Sequence, residues 1–370
     1  MSIIKLWYPN HLFNPDLSAY WFELLKSKQR FERNQRPIDE QIQDAIQWVD
    51  EEVKADLFVL PLDWSYYYKY NLQESAIDFC KQAHSKQKFV LSFSGNDFGI
   101  TVPLPENTII YRQSGYRSKK KNNERTAPFF LSDPIPNFIK IEESSLFSKK
   151  KTDYPIIGFC GMAPRGLLIG LKEKIQILIR NAKSQFGLHP FDQQEIISSS
   201  NLRSKVLETF KKSTDFQTNY IIRKSYRGGK QTPENRKKTT DEYYQNQLES
   251  DCVVCVRGVG NFSVRFFETL AMGRIPIFID TDSTLPDIGN KDWNDYIVWI
   301  DHKDVHRAPE ITKEWLFKRD IIEQKRKNRE LWITQFSLDK FWLGELDRLK
   351  SILIQNQIDL SLSSFSAVPV

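Results

Sequence analysis

The chain has 370 residues, 53 basic against 47 acidic side chains for a net charge of +6, 40% hydrophobic and 13% aromatic content; that length and apolar content make two domains the expected division. The small positive excess suits anionic small ligands or acidic glycans and is only weak evidence for nucleic acid. No apolar run reaches the ~18 residues a membrane span needs, Asn10 and His11 fall where a signal peptide wants an apolar core, and four cysteines in this length do not make a disulfide framework.

Up to about residue 150 the pattern alternates helix with buried strand. Ile38, Ile42, Ala45, Ile46, Val49 and Val53 follow helical spacing, with Asp39 and Glu40 at the favourable end, and predict one helix. Leu57 to Leu62 reads as a continuous apolar strand and Leu72 to His84 as a helix. Phe89 to Phe93 reads as a strand closed by the turn Ser94-Gly95-Asn96-Asp97, and Thr108 to Tyr111 as one more strand. Such alternation predicts a parallel sheet. Residues 112–155 break it. The basic run from Arg117 to Arg125 is expected to be a solvated loop, with an acceptor-side or membrane-surface patch as its functional alternative, and Pro128, Pro134 and Pro136 follow.

Pro155 to Cys160 predicts the first strand of a second sheet. Helices over Lys172 to Phe186 and Leu202 to Lys212, a strand at Tyr220 to Ile222, a helix over Asp241 to Glu249 and a last strand at Tyr296 to Ile300 continue it. The basic stretch 223–238 contains Gly228, Gly229 and Pro233 and follows a strand, so it should lie at the ligand-facing edge as a lid or a solvated loop, with Arg223 at the strand end the better ligand candidate. After Trp332, Phe341, Leu343, Leu346, Leu349 and Leu353 form an amphipathic helix.

Between these last strands, Cys252 to Ile279 reads strand, glycine loop, helix, strand. Its loop puts Arg257, Gly258, Gly260 and Asn261 at the carboxyl end of a parallel strand, where ligands bind in open sheets. Ser263 is placed to cap the helix or face a phosphate, and helix N-termini favour anions. Arg257 and Arg265 supply guanidinium forks that match phosphate oxygens. Glu268, one turn beyond Arg265, can accept the two hydroxyls of a ribose. The unit therefore suits a nucleotide diphosphate; the plain alternative is a structural crossover with Arg265 and Glu268 as a surface ion pair. Asp280-Thr281-Asp282 has a spacing that can hold Mn²⁺ or Mg²⁺ against a diphosphate. Acidic residues at a strand end also form turns, and two arginines can neutralise a leaving phosphate directly, so a metal-independent site is expected. Cys252 and Cys255 have C-x-x-C spacing, but the valines around them make that segment a buried strand rather than a zinc or redox site.

The run R-G-x-G-N-F-S-x-R-x-x-E-T-L-A-x-G-R-I-P-x-F-I-D-T-D, from Arg257 to Asp282, resembles the signature of exostosin-type glycosyltransferases, glycosyltransferase family 47, especially its bacterial members. Weaker echoes lie at Ala55 to Trp64, Leu91 to Asp97, Ile156 to Gly161 and Thr218 to Arg223. The resemblance implies an α/β GT-B fold: a Rossmann-like acceptor-side domain over 1–150, a donor-binding domain over 151–330, and C-terminal helices over 331–370 that pack back on the first. It implies transfer, with inversion, from a nucleotide-sugar donor to a glycan or lipid-linked saccharide in polysaccharide biosynthesis, and it alone favours UDP. Eukaryotic exostosins carry a membrane anchor, so a bacterial cytoplasmic form is expected here, with lipid-linked acceptors leaving peripheral attachment at the inner membrane face open. In GT-B enzymes the base comes from the first domain, which makes Asp97 the first candidate and Asp63 the second. Arg265, Arg257 and Arg223 then hold the diphosphate, and Arg165, shortly after F-C-G, is within reach of it. The other readings are a non-catalytic nucleotide-sugar- or glycan-binding relative and a nucleic-acid binder using the basic runs, which hold only Tyr226 as an interleaved aromatic. Nothing in the sequence sets an oligomeric state.

Overall fold

Two all-parallel sheets organise the chain in a computed structural model that describes residues 3–14, 16, 40–147, 154–164, 166–225, 229 and 232–366. The first sheet runs β2-β1-β3-β4-β5-β6, from β1 (Ile4–Trp7), β2 (Ile46–Trp48), β3 (Leu57–Asp63), β4 (Phe89–Ser94), β5 (Thr108–Arg112) and β6 (Glu124–Thr126). The second runs β11-β10-β9-β7-β8, from β7 (Ile156–Met162), β8 (Gln217–Arg223), β9 (Cys252–Val256), β10 (Ile275–Asp280) and β11 (Val298–Asp301). Strands β3, β9 and β10 are buried along their whole length, which is why they read as unbroken apolar runs: helices cover both faces of a parallel sheet. In each sheet the first strand is flanked by the second and third, β2-β1-β3 and β8-β7-β9, so each has a topological switch point, and it is outside the carboxyl strand ends at such points that open parallel sheets bind ligands. This is the two-sheet α/β architecture of a GT-B fold.

Helices α1 (Glu40–Ala45), α2 (Trp64–Lys69) and α3 (Gln73–Ser85) belong to the first half. The second half carries α4 (Leu167–Gln185), α5 (Ser199–Lys212), α6 (Pro233–Leu248), α7 (Val264–Ala271), α8 (Ala308–Phe317) and α9 (Ile321–Leu331). The last helix, α10 (Leu338–Ser366), returns to the first sheet: Leu338, Phe341, Trp342, Leu346 and Leu349 share a core with Val59, Leu91, Phe93 and Tyr111. Tyr111 also donates its hydroxyl to Glu345 at 3.0 Å, and burial pushes that carboxyl above the usual glutamate range. In the second sheet, Val254 and Ile277 pack on Val206 and Phe210 of α5, while Val253 and Cys255 pack on Phe266 of α7 across the opposite face.

Two expectations are corrected. The helix expected from Ile38 to Val53 stops at Ala45, and Ile46–Trp48 is an edge strand paired in parallel with β1. An apolar residue every three or four positions fits either structure over so short a span, and pairing with the exposed edge of β1 decides it. The basic run is not simply a solvated loop. Its end, Glu124–Thr126, is strand β6 on the edge of β5, and its start docks on the second half. Among the described residues no helix is long and apolar enough to cross a membrane.

Candidate functional site

At the switch point of the second sheet, between the carboxyl ends of β7 and β9, three arginines converge. Arg203 reaches in from α5 and donates to the carbonyl of Met162 at 3.2 Å, at the end of β7, and to that of Arg257 at 2.7 Å, just past β9. Arg257 is only 2% exposed, with Nη2 donating to Gln194 Oε1 at 3.1 Å and Nη1 to the Tyr116 hydroxyl at 3.4 Å. Arg265, in the first turn of α7, donates to the carbonyl of Cys160 at 2.8 Å and lies over the Phe159 ring at 4.3 Å. A Cβ at Gly161 would fall 2.7 Å from its Nη2, so only glycine lets that guanidinium lie against β7. The Nε of all three arginines is buried without a hydrogen-bond partner among the described residues. Arg203 and Arg257 have no carboxylate within ion-pairing distance among those residues. Burial, with repulsion from Arg265 and only Glu173 opposing, lowers the Arg203 pKa to about 10. An anion entering here would meet cations that the protein leaves undercompensated.

The N-terminus of α7 opens beside them. Ser263 sits at the cap position with extended backbone (φ −136°, ψ 113°) but makes no side-chain cap hydrogen bond, so capping of an amide, one of its two expected roles, is not what it does. The amide of Phe266 donates to the Ser263 carbonyl at 3.2 Å, which leaves those of Val264 and Arg265 for another acceptor. Glu268 accepts a hydrogen bond from the Tyr243 hydroxyl and lies in the field of Arg265. Arg223 stands apart from the cluster: it pairs with Glu242 at 2.8 Å and donates to the Thr239 carbonyl, tying β8 to α6. Arg165 lies outside the described residues, as do 226–228, 230 and 231 of the basic stretch.

The rest of the motif loop faces the first half of the chain. Asn261 is fully buried, donating to the carbonyls of Gly115 (3.0 Å) and Asp282 (3.2 Å) and accepting from Thr281 (2.7 Å) and Ser283 (3.1 Å). Its amide is saturated and works as a latch between the halves. Gly258 is held by its own loop, its amide donating to Phe262 and its carbonyl accepting from Ser199. At Gly260 a Cβ would fall 1.5 Å from the carbonyl oxygen of Asp97; the two backbones touch and no side chain fits between them. Asp280 accepts from Arg117 (2.9 Å), Trp299 (3.2 Å) and the amide of Ser283, while Asp282, at φ 61°, accepts from Ser118. The D-x-D carboxylates therefore meet residues 117–118. Among the described residues no group of three or more His, Cys, Asp or Glu is arranged to hold a metal. Cys252 and Cys255 lie in cores on opposite faces of the sheet, which rules out a shared ion.

Asp97 is exposed at the turn after β4, and the protein mass beside it raises its carboxyl pKa above the ordinary aspartate value. Asp63 is buried and engaged: one oxygen caps α2 through the amide of Ser65 at 2.8 Å, the other accepts from the amide of Gly95 at 2.5 Å. It organises the turn on which Asp97 stands. Sequence reasoning missed Arg203, Gln194, Tyr116 and Tyr243. For Arg203 a signal existed, an arginine set among the buried stripe Leu202, Val206, Leu207 and Phe210 of one helix.

Against this geometry the comparisons are specific. Residues 188–315 match the Exostosin GT47 domain. No curated protein matches the chain. The exostosin match, roughly a third of the chain, runs from the segment before α5 to within α8. It spans Arg203, Arg223 and the whole β9–α7–β10 unit, and it excludes both aspartates of the first half. It points to the glycosyltransferase class through the second half alone.

Proposed function

We propose that the crevice at the ends of β7 and β9 binds a nucleotide-sugar donor and that the protein transfers the sugar, with inversion, to a hydroxyl of a glycan or lipid-linked saccharide. The observation that carries this reading is the convergence of Arg203, Arg257 and Arg265, with unpartnered buried Nε atoms, beside the open N-terminus of α7. In the reaction the bond between the anomeric carbon and the phosphate oxygen breaks as the acceptor oxygen bonds to the opposite side of that carbon. Charge develops on the departing diphosphate, where preoriented guanidinium and amide donors are worth most. Glu268, oriented by Tyr243, takes the ribose hydroxyls. Asp97 accepts the acceptor's proton, its raised pKa improving a carboxylate as a base near neutrality. Arginines serve the role a divalent ion would otherwise fill, so the reaction is expected to run without metal, and UDP is the nucleotide the resemblance favours.

Thermal shift against UDP, GDP and CMP, with and without EDTA, followed by assay of released nucleotide over a panel of UDP-sugars, tests this. Saturating nucleotide diphosphate at about 100 times Kd should add about 2.7 kcal/mol of stability, unchanged by EDTA. Absence of a shift with every nucleotide would overturn the donor site. A shift abolished by EDTA would move the diphosphate to a metal at Asp280 and Asp282, and binding without turnover would leave a non-catalytic relative.

A further inference from the structure

Helix α4 presents its apolar face away from the protein. Only Gly170 and Ile177 are buried along it, and Gly170 packs directly against Asn201 of α5. Leu167, Leu168, Leu171, Ile175, Leu178 and Ile179 are all exposed, Leu168 at 82%, Leu171 at 56% and Ile179 at 53%. At ~100° per residue these six span about 120° of the circumference, opposite the buried stripe. Exposed Lys172, Lys174 and Lys183 rim the face. Glu173, the single acidic residue of the helix, turns inward and accepts from Ser198 at 2.6 Å. Exposed Phe186 and Leu188 extend the patch past the helix end. Monomeric proteins seldom leave a contiguous apolar surface of this kind open.

We infer that this face of α4 is a docking surface for an anionic phospholipid bilayer. A broad apolar stripe with a lysine rim and no exposed carboxylate matches a helix lying in the plane of a membrane interface, its apolar side chains at the acyl boundary and its ammonium groups on phosphate headgroups. A protein partner would not require the rim to be of one sign. The helix begins at Leu167, shortly after β7 ends at Met162, so docking would hold the crevice edge of the second sheet near the bilayer. The inference stands on this surface and not on the transferase reading, since donor binding in solution needs no membrane.

Flotation of the full chain with phosphatidylcholine vesicles and with mixed phosphatidylcholine–phosphatidylglycerol vesicles tests it. Binding to the mixed vesicles is expected, weakened by added salt and at least about tenfold weaker in the double variant Ile175→Ser/Ile179→Ser. Both side chains are exposed, so the variant should keep the wild-type melting temperature and nucleotide response. A chain that stays in solution with both vesicle types overturns the inference, as does a variant that floats as well as wild type. A concentration-dependent dimer that the same variant disperses, without vesicle binding, would make a second copy the occupant instead.

Discussion

Arg112 in the first half and Arg203 in the second are both largely buried guanidinium groups at carboxyl strand ends, and their surroundings are opposite. Arg112 closes β5 and is held by two carboxylates, Glu124 at 2.8 Å and Asp192 at 2.5 Å, which raise its pKa above the ordinary arginine value. Arg203 has two backbone carbonyls instead, and a pKa lowered to about 10. A guanidinium saturated by carboxylates joins parts of a protein; one left with carbonyls keeps charge for a ligand. Position is needed as well as charge. Arg274 is buried with an equally lowered pKa, but it stands at the amino end of β10 beside Lys325 and Asp251, away from the edge where ligands bind.

The comparison can be broken most severely from the first half. Asp97→Asn should lower kcat about 10²- to 10⁴-fold with donor affinity intact, as measured by nucleotide release and thermal shift. Because the wild-type carboxyl titrates above the usual aspartate range, kcat/KM should already fall as pH drops through that raised value, where the protonated acid can no longer accept the acceptor's proton. An unchanged kcat would mean that Asp97 is not the base. Next, Arg112→Met should destabilise the fold by about 3 kcal/mol in chemical denaturation, because it strands the buried Glu124 and the half-buried Asp192. Arg203→Met should do the reverse of Arg112→Met. Folding stability should change by no more than about 1 kcal/mol, since a poorly compensated charge is removed, while affinity for a nucleotide diphosphate falls about 10- to 100-fold. Equal destabilisation by both substitutions would erase the distinction. The smallest effect concerns Glu345. Its folded pKa lies above its unfolded one, so its stabilising contribution is full below the ordinary glutamate pKa and is lost as pH rises through the folded value. Glu345→Gln should keep the Tyr111 hydrogen bond, flatten that slope and raise stability at neutral pH, readable as a melting temperature that no longer changes across that window.

The β9–loop–α7–β10 unit was legible because each signal was local: a buried strand, glycines, a capping position and a helix stop fall within one stretch of chain. Elsewhere the long apolar strands were found within a few residues, Leu57 to Leu62 against the observed Leu57–Asp63 and Phe89 to Phe93 against Phe89–Ser94. The short strands Ile4–Trp7, Ile46–Trp48 and Glu124–Thr126 were not, since each exists only through its neighbours in the sheet. At the site the same division holds. Arg257, Ser263, Arg265 and Glu268 announce themselves by spacing, whereas Arg203 arrives from a helix some fifty residues earlier in the chain. The saturation of Asn261 by Gly115 and the burial of Asp280 under Arg117 depend on how the halves meet, which no periodicity encodes.

The return of α10 to the first sheet has a consequence for synthesis. A ribosome extrudes β1 to β6 long before Phe341, Trp342, Leu346 and Leu349, the side chains that complete one face of that sheet. Until residue 349 has left the exit tunnel, Leu91, Phe93 and Tyr111 have nothing of α10 to bury against, while the second sheet, whose two cores draw on residues up to Phe336, can close first. The usual N-to-C order of domain maturation is thereby inverted: the half made first is finished last, and the nascent chain carries an unfinished apolar surface that holding chaperones would recognise until α10 arrives.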